Sequence, residues 1–274
     1  MIQLVAFDLD GTLMGADLII SARVRDAIAR TVRSGVTVTL ATGRMYSATA
    51  PFAQSLDLHT PLLCYQGGWI QGLDTAILHR VTLPETLARE AVAMGRAQGW
   101  HTVLYADGLL FIDGQRLPLS YYETYLGPDP VVAPDLTSVL TAHQPDKVLF
   151  VAEPGDIPAM ALRLTDTFDT SADVMQSHAN FIEVVPRNVN KGQALAWLAA
   201  SLDIPRDAVL AAGDQQNDVT MLEWAGTGVA MGNAVPAAQT VADWIAPPLD
   251  QDGAAEILER YVLRPSERQG GRPI

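Results

Sequence analysis

The stretch LVAFDLDGTLMG, residues 4–15, runs four apolar residues into two aspartates one residue apart, then a Gly-Thr. The apolar run over residues 2–8 predicts a strand buried on both faces, as in a parallel sheet. In an extended strand residues i and i+2 point to the same side, so Asp8 and Asp10 can project together from its C-terminal end. In open α/β sheets that end faces the ligand crevice. Two unpaired carboxylates there repel each other and are desolvated, which raises the pKa of each. A divalent cation removes part of the difficulty, and a proton held by one carboxylate removes the rest. Asp-Gly-Thr is also ordinary turn chemistry, so a plain turn is the competing reading.

Outward from this strand, the pattern alternates. Ser21 reads as the N-cap of a helix whose apolar side carries Val24, Ala27, Ile28 and Val32, and Gly35 ends it. VTVTLATGR is a second β-branched strand, MYSATAPFAQSL a helix, and PLLCYQGGWI a third strand with a glycine break. Strand–helix–strand–helix–strand implies right-handed crossovers and a parallel sheet. The pattern changes at Pro84. PETLAREAVAMGRAQG is a helix, and WHTVLYADGLLFIDG reads as a hairpin turning at Asp107-Gly108. A short helix around residues 121–126, the strand DKVLFVAE, a helix near 157–168 and two strands ending in NFIEVVP follow. Hairpins with separated helices indicate an α+β insert over residues 84–186. From Val189 the alternation returns, so residues 1–83 and 187–274 form the core, and RPSERQGGRPI suggests a flexible tail over 265–274.

The chain has 274 residues, 49% of them hydrophobic and 18% charged, which suits a sizeable core and excludes wholesale disorder. Its net charge of −13 argues against nucleic acid or an anionic membrane as partner, since phosphate backbones need clustered Lys and Arg. Cys64 is the single cysteine and sits in an apolar run, so it reads as a buried thiol. MIQLVAF at the start carries no basic region or cleavage site, and the longest uncharged stretches are broken by Gly, Pro and Asn. A soluble, cytoplasmic protein is expected.

A second acidic cluster lies in LAAGDQQNDVTML, residues 210–222, where another apolar strand ends in Gly213-Asp214 with Asn217 and Asp218 at the mouth of the next helix. Two acidic strand ends in one parallel sheet suit a hard cation such as Mg²⁺, though Asp218 reads equally as a helix cap worth about 1 kcal/mol. The five histidines show no ligand spacing, which disfavours zinc. Thr42-Gly43-Arg44 places a hydroxyl and amides where phosphate could sit, or is simply a strand-to-helix turn. Lys191 opens a helix, where the macrodipole disfavours a cation, so it is either a solvated surface lysine or is used elsewhere.

In order, DLDGTL, ATGR, Lys191 in NVNKGQAL and GDQQNDVTML resemble the four motifs of the haloacid dehalogenase superfamily of phosphohydrolases. The insert between the second and third motifs, and DQDGAAEIL near the end, resemble its Cof-type, subclass IIB branch. The resemblance implies a Rossmann-like α/β core with an inserted α+β cap of the C2, type IIB kind. It implies Asp8 as nucleophile, Asp10 as general acid/base, and Thr42 and Lys191 on the phosphoryl group, with Leu9, Gly43, Arg44 and Asn217 around it. Asp8, the Asp10 carbonyl and Asp214 would hold Mg²⁺, with Asp218 supporting the site. Gln66 departs from the branch's usual asparagine, and Asn190 from a frequent serine.

The function expected is a Mg²⁺-dependent phosphatase of small phosphorylated metabolites, sugar phosphates or phosphorylated cofactors, through an aspartyl phosphate. A phosphomutase would keep the same residues and return the phosphoryl group to a sugar. A phospho-ligand sensor without turnover is a further alternative, but it has no use for Asp10. The oligomeric state, monomer or dimer, is left open by the sequence.

Overall fold

The strand Leu4–Phe7 is buried throughout and has a parallel partner on each side, Thr37–Leu40 and Val209–Gly213. Thr227–Ala230 and then Trp244–Ile245 extend the sheet in parallel, giving five strands. The register pairs Phe7 with both Ala212 and Leu40. The residues one to three steps further on, namely Asp8, Asp10, Asp214 and Thr42, are therefore delivered to one end of one sheet. The structure, a computed structural model, describes residues 1–264, and the expected tail 265–274 lies outside the described residues.

Local chemistry sets the helices as read. The Ser21 hydroxyl accepts from the Val24 amide at 3.2 Å and opens the helix Ala22–Arg33. Gly99, at φ +68°, closes the helix Glu85–Gln98 in the left-handed conformation.

One element differs from expectation. PLLCYQGGWI is not a single interrupted strand but two antiparallel ones, Leu62–Cys64 and Trp69–Gln71, and Ile77–Arg80 adds a third that the sequence pattern did not mark. Tyr65, Gln66 and Gly67 have φ of 51°, 62° and 101° in succession, and this left-handed run reverses the chain.

Residues 101–186 build a six-stranded sheet in the order Ala172–His178, Phe181–Pro186, Pro145–Val151, His101–Ala106, Leu109–Ile112, Val131–Val132. All its pairs are antiparallel except the last. Asp107 and Gly108 turn the central hairpin with φ of 49° and 73°, the positive values a two-residue type I′ turn needs. Side chains alternate across this sheet with period two. Leu104, Ala106, Val148 and Phe150 pack with the helices Glu85–Gln98 and Ile157–Phe168. Val103, Tyr105, Leu149 and Phe181 face the other way and share one apolar cluster with Met45, Tyr65 and Trp69. The second sheet thus lies over the edge that carries the aspartates.

Candidate active site

Lys191 explains its own unfavourable position. Asn190 caps the helix Lys191–Ser201 by accepting from the Gln193 amide at 2.9 Å, the service a serine would also give. The lysine side chain is 1% exposed and donates to Asp8 Oδ1 at 2.6 Å and to Asp218 Oδ1 at 2.5 Å. Burial pulls the ammonium's pKa down, but Asp218 and Asp8 outweigh burial and the net shift is upward. Asp218 turns its other oxygen to the amides of Asp214 and Gln215, each at 2.8 Å. It braces the loop that carries Asp214.

Asp214 accepts from the Thr12 hydroxyl at 2.9 Å and the Gln215 amide group at 2.8 Å. Gly11, at φ +87°, passes so close that a Cβ there would lie 2.3 Å from Asp214 Oδ2. Asp8, Asp214 and Asp218 offer oxygens that all lie within 4.8 Å of one another. Burial first, then the Asp218 charge, pushes Asp214 up to about 7, and the same two causes raise Asp8 well above the usual carboxylate range. One ammonium serves three buried carboxylates, so the cluster keeps an excess of negative charge. An all-oxygen, anionic donor set of this kind fits a hard divalent cation.

Asp10 is separate from this cluster. Its carboxylate is 41% exposed and held at both oxygens by Arg44, with Nε–Oδ2 and Nη2–Oδ1 each at 2.7 Å. Arg44, expected beside the phosphoryl group, is therefore committed to Asp10 in this structure. The Thr42 hydroxyl accepts from the Arg44 amide at 3.1 Å, which leaves its O–H free to donate into the cavity it lines. Leu9 is buried in the core, and its carbonyl accepts from the amides of Thr12, Leu13 and Met14. Asn217 donates to Gln66 Oε1 at 2.8 Å, and its own Oδ1 is buried without a partner among the described residues. Cys64 is fully buried, which pushes its thiol up to about 12 and makes it inert as a nucleophile.

Core and upper sheet meet through a polar bridge that sequence reasoning missed. Lys147 donates to the Gly43 carbonyl at 2.9 Å and to Glu183 at 2.7 Å. Glu183 also accepts from Gln66 at 3.1 Å and from the Ser177 hydroxyl. In the insert, Tyr105 lines the cavity, whereas Asp107 and Arg116 serve turns and Tyr121 packs on Tyr125. The cavity between core and upper sheet measures about 250 Å³ and is lined by Asp8, Asp10, Thr42, Gly43, Asp214 and Asn217 below and by Tyr105, Tyr125, Lys147, His178, Phe181 and Glu183 above.

The model of the haloacid dehalogenase-like hydrolases matches residues 5–258. The chain belongs to this family. Within it, the 5-amino-6-(5-phospho-D-ribitylamino)uracil phosphatase YitU of Bacillus subtilis is 29% identical over 270 residues, spanning 94% of this chain and 97% of its own. A haloacid dehalogenase-like hydrolase from Bacteroides thetaiotaomicron superposes with a TM-score of 0.83 at 28% identity, over 95% of this chain and 100% of that one. The subclass IIB sugar phosphatase BT4131, 17% identical, shares the fold with a TM-score of 0.82 over 94% of this chain and 98% of its own. This haloacid dehalogenase-like hydrolase is a phosphatase of the Cof-type branch, a phosphoric monoester hydrolase acting on phosphorylated small molecules. Among the described residues no helix is long and apolar enough to cross a membrane.

Proposed function

We propose that this is a cytoplasmic, Mg²⁺-dependent phosphatase of small phosphorylated metabolites, sugar phosphates or phosphorylated cofactors, working through an aspartyl phosphate on Asp8. The observation that carries the reading is the state of Asp8. Among the described residues only its Oδ1 is engaged, by Lys191, so Oδ2 is left for attack on phosphorus. Asp8, the Asp10 carbonyl and Asp214 would hold the metal, with Asp218 bracing them. Bound there, Mg²⁺ would supply positive charge against the phosphoryl oxygens.

Asp8 Oδ2 attacks phosphorus in line, the Asp8–phosphorus bond forms, and the bond to the leaving oxygen breaks. Asp10 delivers a proton to that oxygen. Both its oxygens are occupied by Arg44, so Asp10 must leave this grip first, and an incoming phosphate dianion competes for the guanidinium. Lys191 uses two of its three hydrogens on Asp8 and Asp218, and the third, with the Thr42 hydroxyl, is available to the equatorial oxygens. Water then attacks phosphorus and passes a proton to Asp10, and inorganic phosphate leaves with Asp8 restored.

The test is phosphate release with and without Mg²⁺. Chelation should abolish turnover reversibly, and Asp214→Ala should nearly abolish it while weakening Mg²⁺ binding measured by calorimetry. Full activity in excess EDTA would remove the metal from the account.

A further inference from the structure

Three rings gather at one part of the cavity's upper lining. Tyr125, His178 and Phe181 all line it. His178 and Phe181 lie 4.9 Å apart and tilted by 36°, Tyr125 is 5.8 Å from His178, and Tyr125 meets Phe181 at 6.5 Å and 70°. Tyr125 and His178 are only half-buried, so ring surface is left over for a further partner.

Two of these rings are delivered by irregular backbone. Tyr125 lies in the π-helical turn Tyr122–Leu126, and His178 follows a register shift after Gln176 in the strand pair with Phe181–Pro186. π-turns and bulges interrupt regular hydrogen bonding, and both are devices that re-aim a side chain at functional sites. His178 is also close enough to Asp10 and Arg44 to feel both charges, while burial, the larger effect, lowers its pKa.

Beside these rings, Glu183 and Lys147 are engaged within the protein. Glu183 accepts from Lys147, Gln66 and Ser177, and Lys147 gives two of its three hydrogens to Glu183 and Gly43 while lying 4.7 Å over the Tyr105 ring. A flat ring finds faces to stack on among Tyr125, His178 and Phe181, whereas a sugar hydroxyl pressed against those faces loses its water without gaining a hydrogen bond from them. The volume of about 250 Å³ falls below the usual range for larger organic ligands and admits one ring beside the phosphate.

We propose that the preferred substrates are phosphate monoesters whose alcohol carries a single aromatic or heteroaromatic ring, seated among Tyr125, His178 and Phe181. The proposal rests on the reading of Asp8 as the attacking group and narrows its substrate class to ring-bearing compounds over simple sugar phosphates.

The test compares benzyl phosphate, cyclohexylmethyl phosphate and ribose 5-phosphate. The first two differ in ring flatness and π-face, while the saturated ring is at least as apolar. We expect kcat/KM to favour benzyl phosphate over cyclohexylmethyl phosphate by about 3–10-fold and ribose 5-phosphate to trail both. Tyr125→Leu and His178→Leu should each bring the benzyl-to-cyclohexylmethyl ratio towards one, and a ratio cancels any general loss of folded enzyme. Equal or reversed preference in the wild type, or an unchanged ratio in both variants, would overturn the proposal. The same preference should appear as a Kd ratio in Asp8→Asn, measured by calorimetry. Persistent hydrolysis by Asp8→Asn would instead overturn the reading of Asp8, with the ring site still judged by that Kd ratio.

Discussion

A lysine at the first position of a helix violates the macrodipole, and here two buried carboxylates outweigh that local cost. Lys191→Met leaves Asp8 and Asp218 buried and uncompensated, which should destabilise the fold by about 3–5 kcal/mol. The deficit has a defined pH dependence. Asp8 titrates above its unfolded value, so its contribution to stability is complete below the unfolded pKa and is lost as pH rises through the folded one. Removing the ammonium raises Asp8 further, so urea melts should show a larger loss at pH 8 than at pH 5. A pH-independent loss would contradict this electrostatic account. Asp8, Asp10, Asp214 and Asp218 were legible in the sequence because carboxylates at the ends of apolar strands break the pattern of burial. Lys147 and Glu183 were not legible, since a lone charge in a strand reads as solvent-facing. Their partnership needs the register that sets Glu183 opposite Leu149, with Lys147 two residues along.

At the level of elements, caps and turns place the chemistry. Asn190 fixes where the helix begins, and with it the reach of Lys191 into the cluster. Asn190→Ala should cost about 1 kcal/mol in a chemical melt and lower kcat more than KM, whereas Asn190→Ser should restore both. An alanine variant with unchanged kcat would show that the cap does not position Lys191. The turn at residues 65–67 was only half legible. Its glycines marked a break, but neither Tyr65 nor Gln66 announces positive φ, because both are residues that rarely adopt it. The structure holds Gln66 there between Asn217 and Glu183, and such tertiary contacts have no trace in local sequence. The hairpin at Asp107-Gly108 was read correctly because its turn chemistry is local.

For the molecule as a whole, we propose that residues 84–186 are a cap that moves against the core about hinges near residues 83–84 and 186–188, closing the cavity over substrate. The two parts are joined by Lys147 on the Gly43 carbonyl, Gln66 on Glu183, and the apolar cluster shared by Tyr105, Met45 and Tyr65. Lys147→Met should cost about 3–5 kcal/mol, because Glu183 is left buried without its cation. The double variant Lys147→Met with Glu183→Gln should cost less, and both should speed amide hydrogen exchange around residues 42–45. A double variant less stable than the single one would show that the pair is not an ionic latch. The parallel core and the inserted second sheet were foreseeable from the alternation of elements. The way they meet was not, because it joins segments a hundred residues apart in chain order, such as Gly43 and Lys147.

The central claim is that Asp8 carries the phosphoryl group and Asp10 handles the protons. The most direct test is pre-steady-state hydrolysis of p-nitrophenyl phosphate by Asp10→Asn. An aryl oxygen leaves without much help from an acid, but the second step still needs a base to activate water. The account predicts a burst of up to one equivalent of nitrophenolate per active site, a sharp slowing, and phosphate trapped on the peptide containing Asp8. Sustained turnover at the wild-type rate, with no phosphate on Asp8, would contradict it.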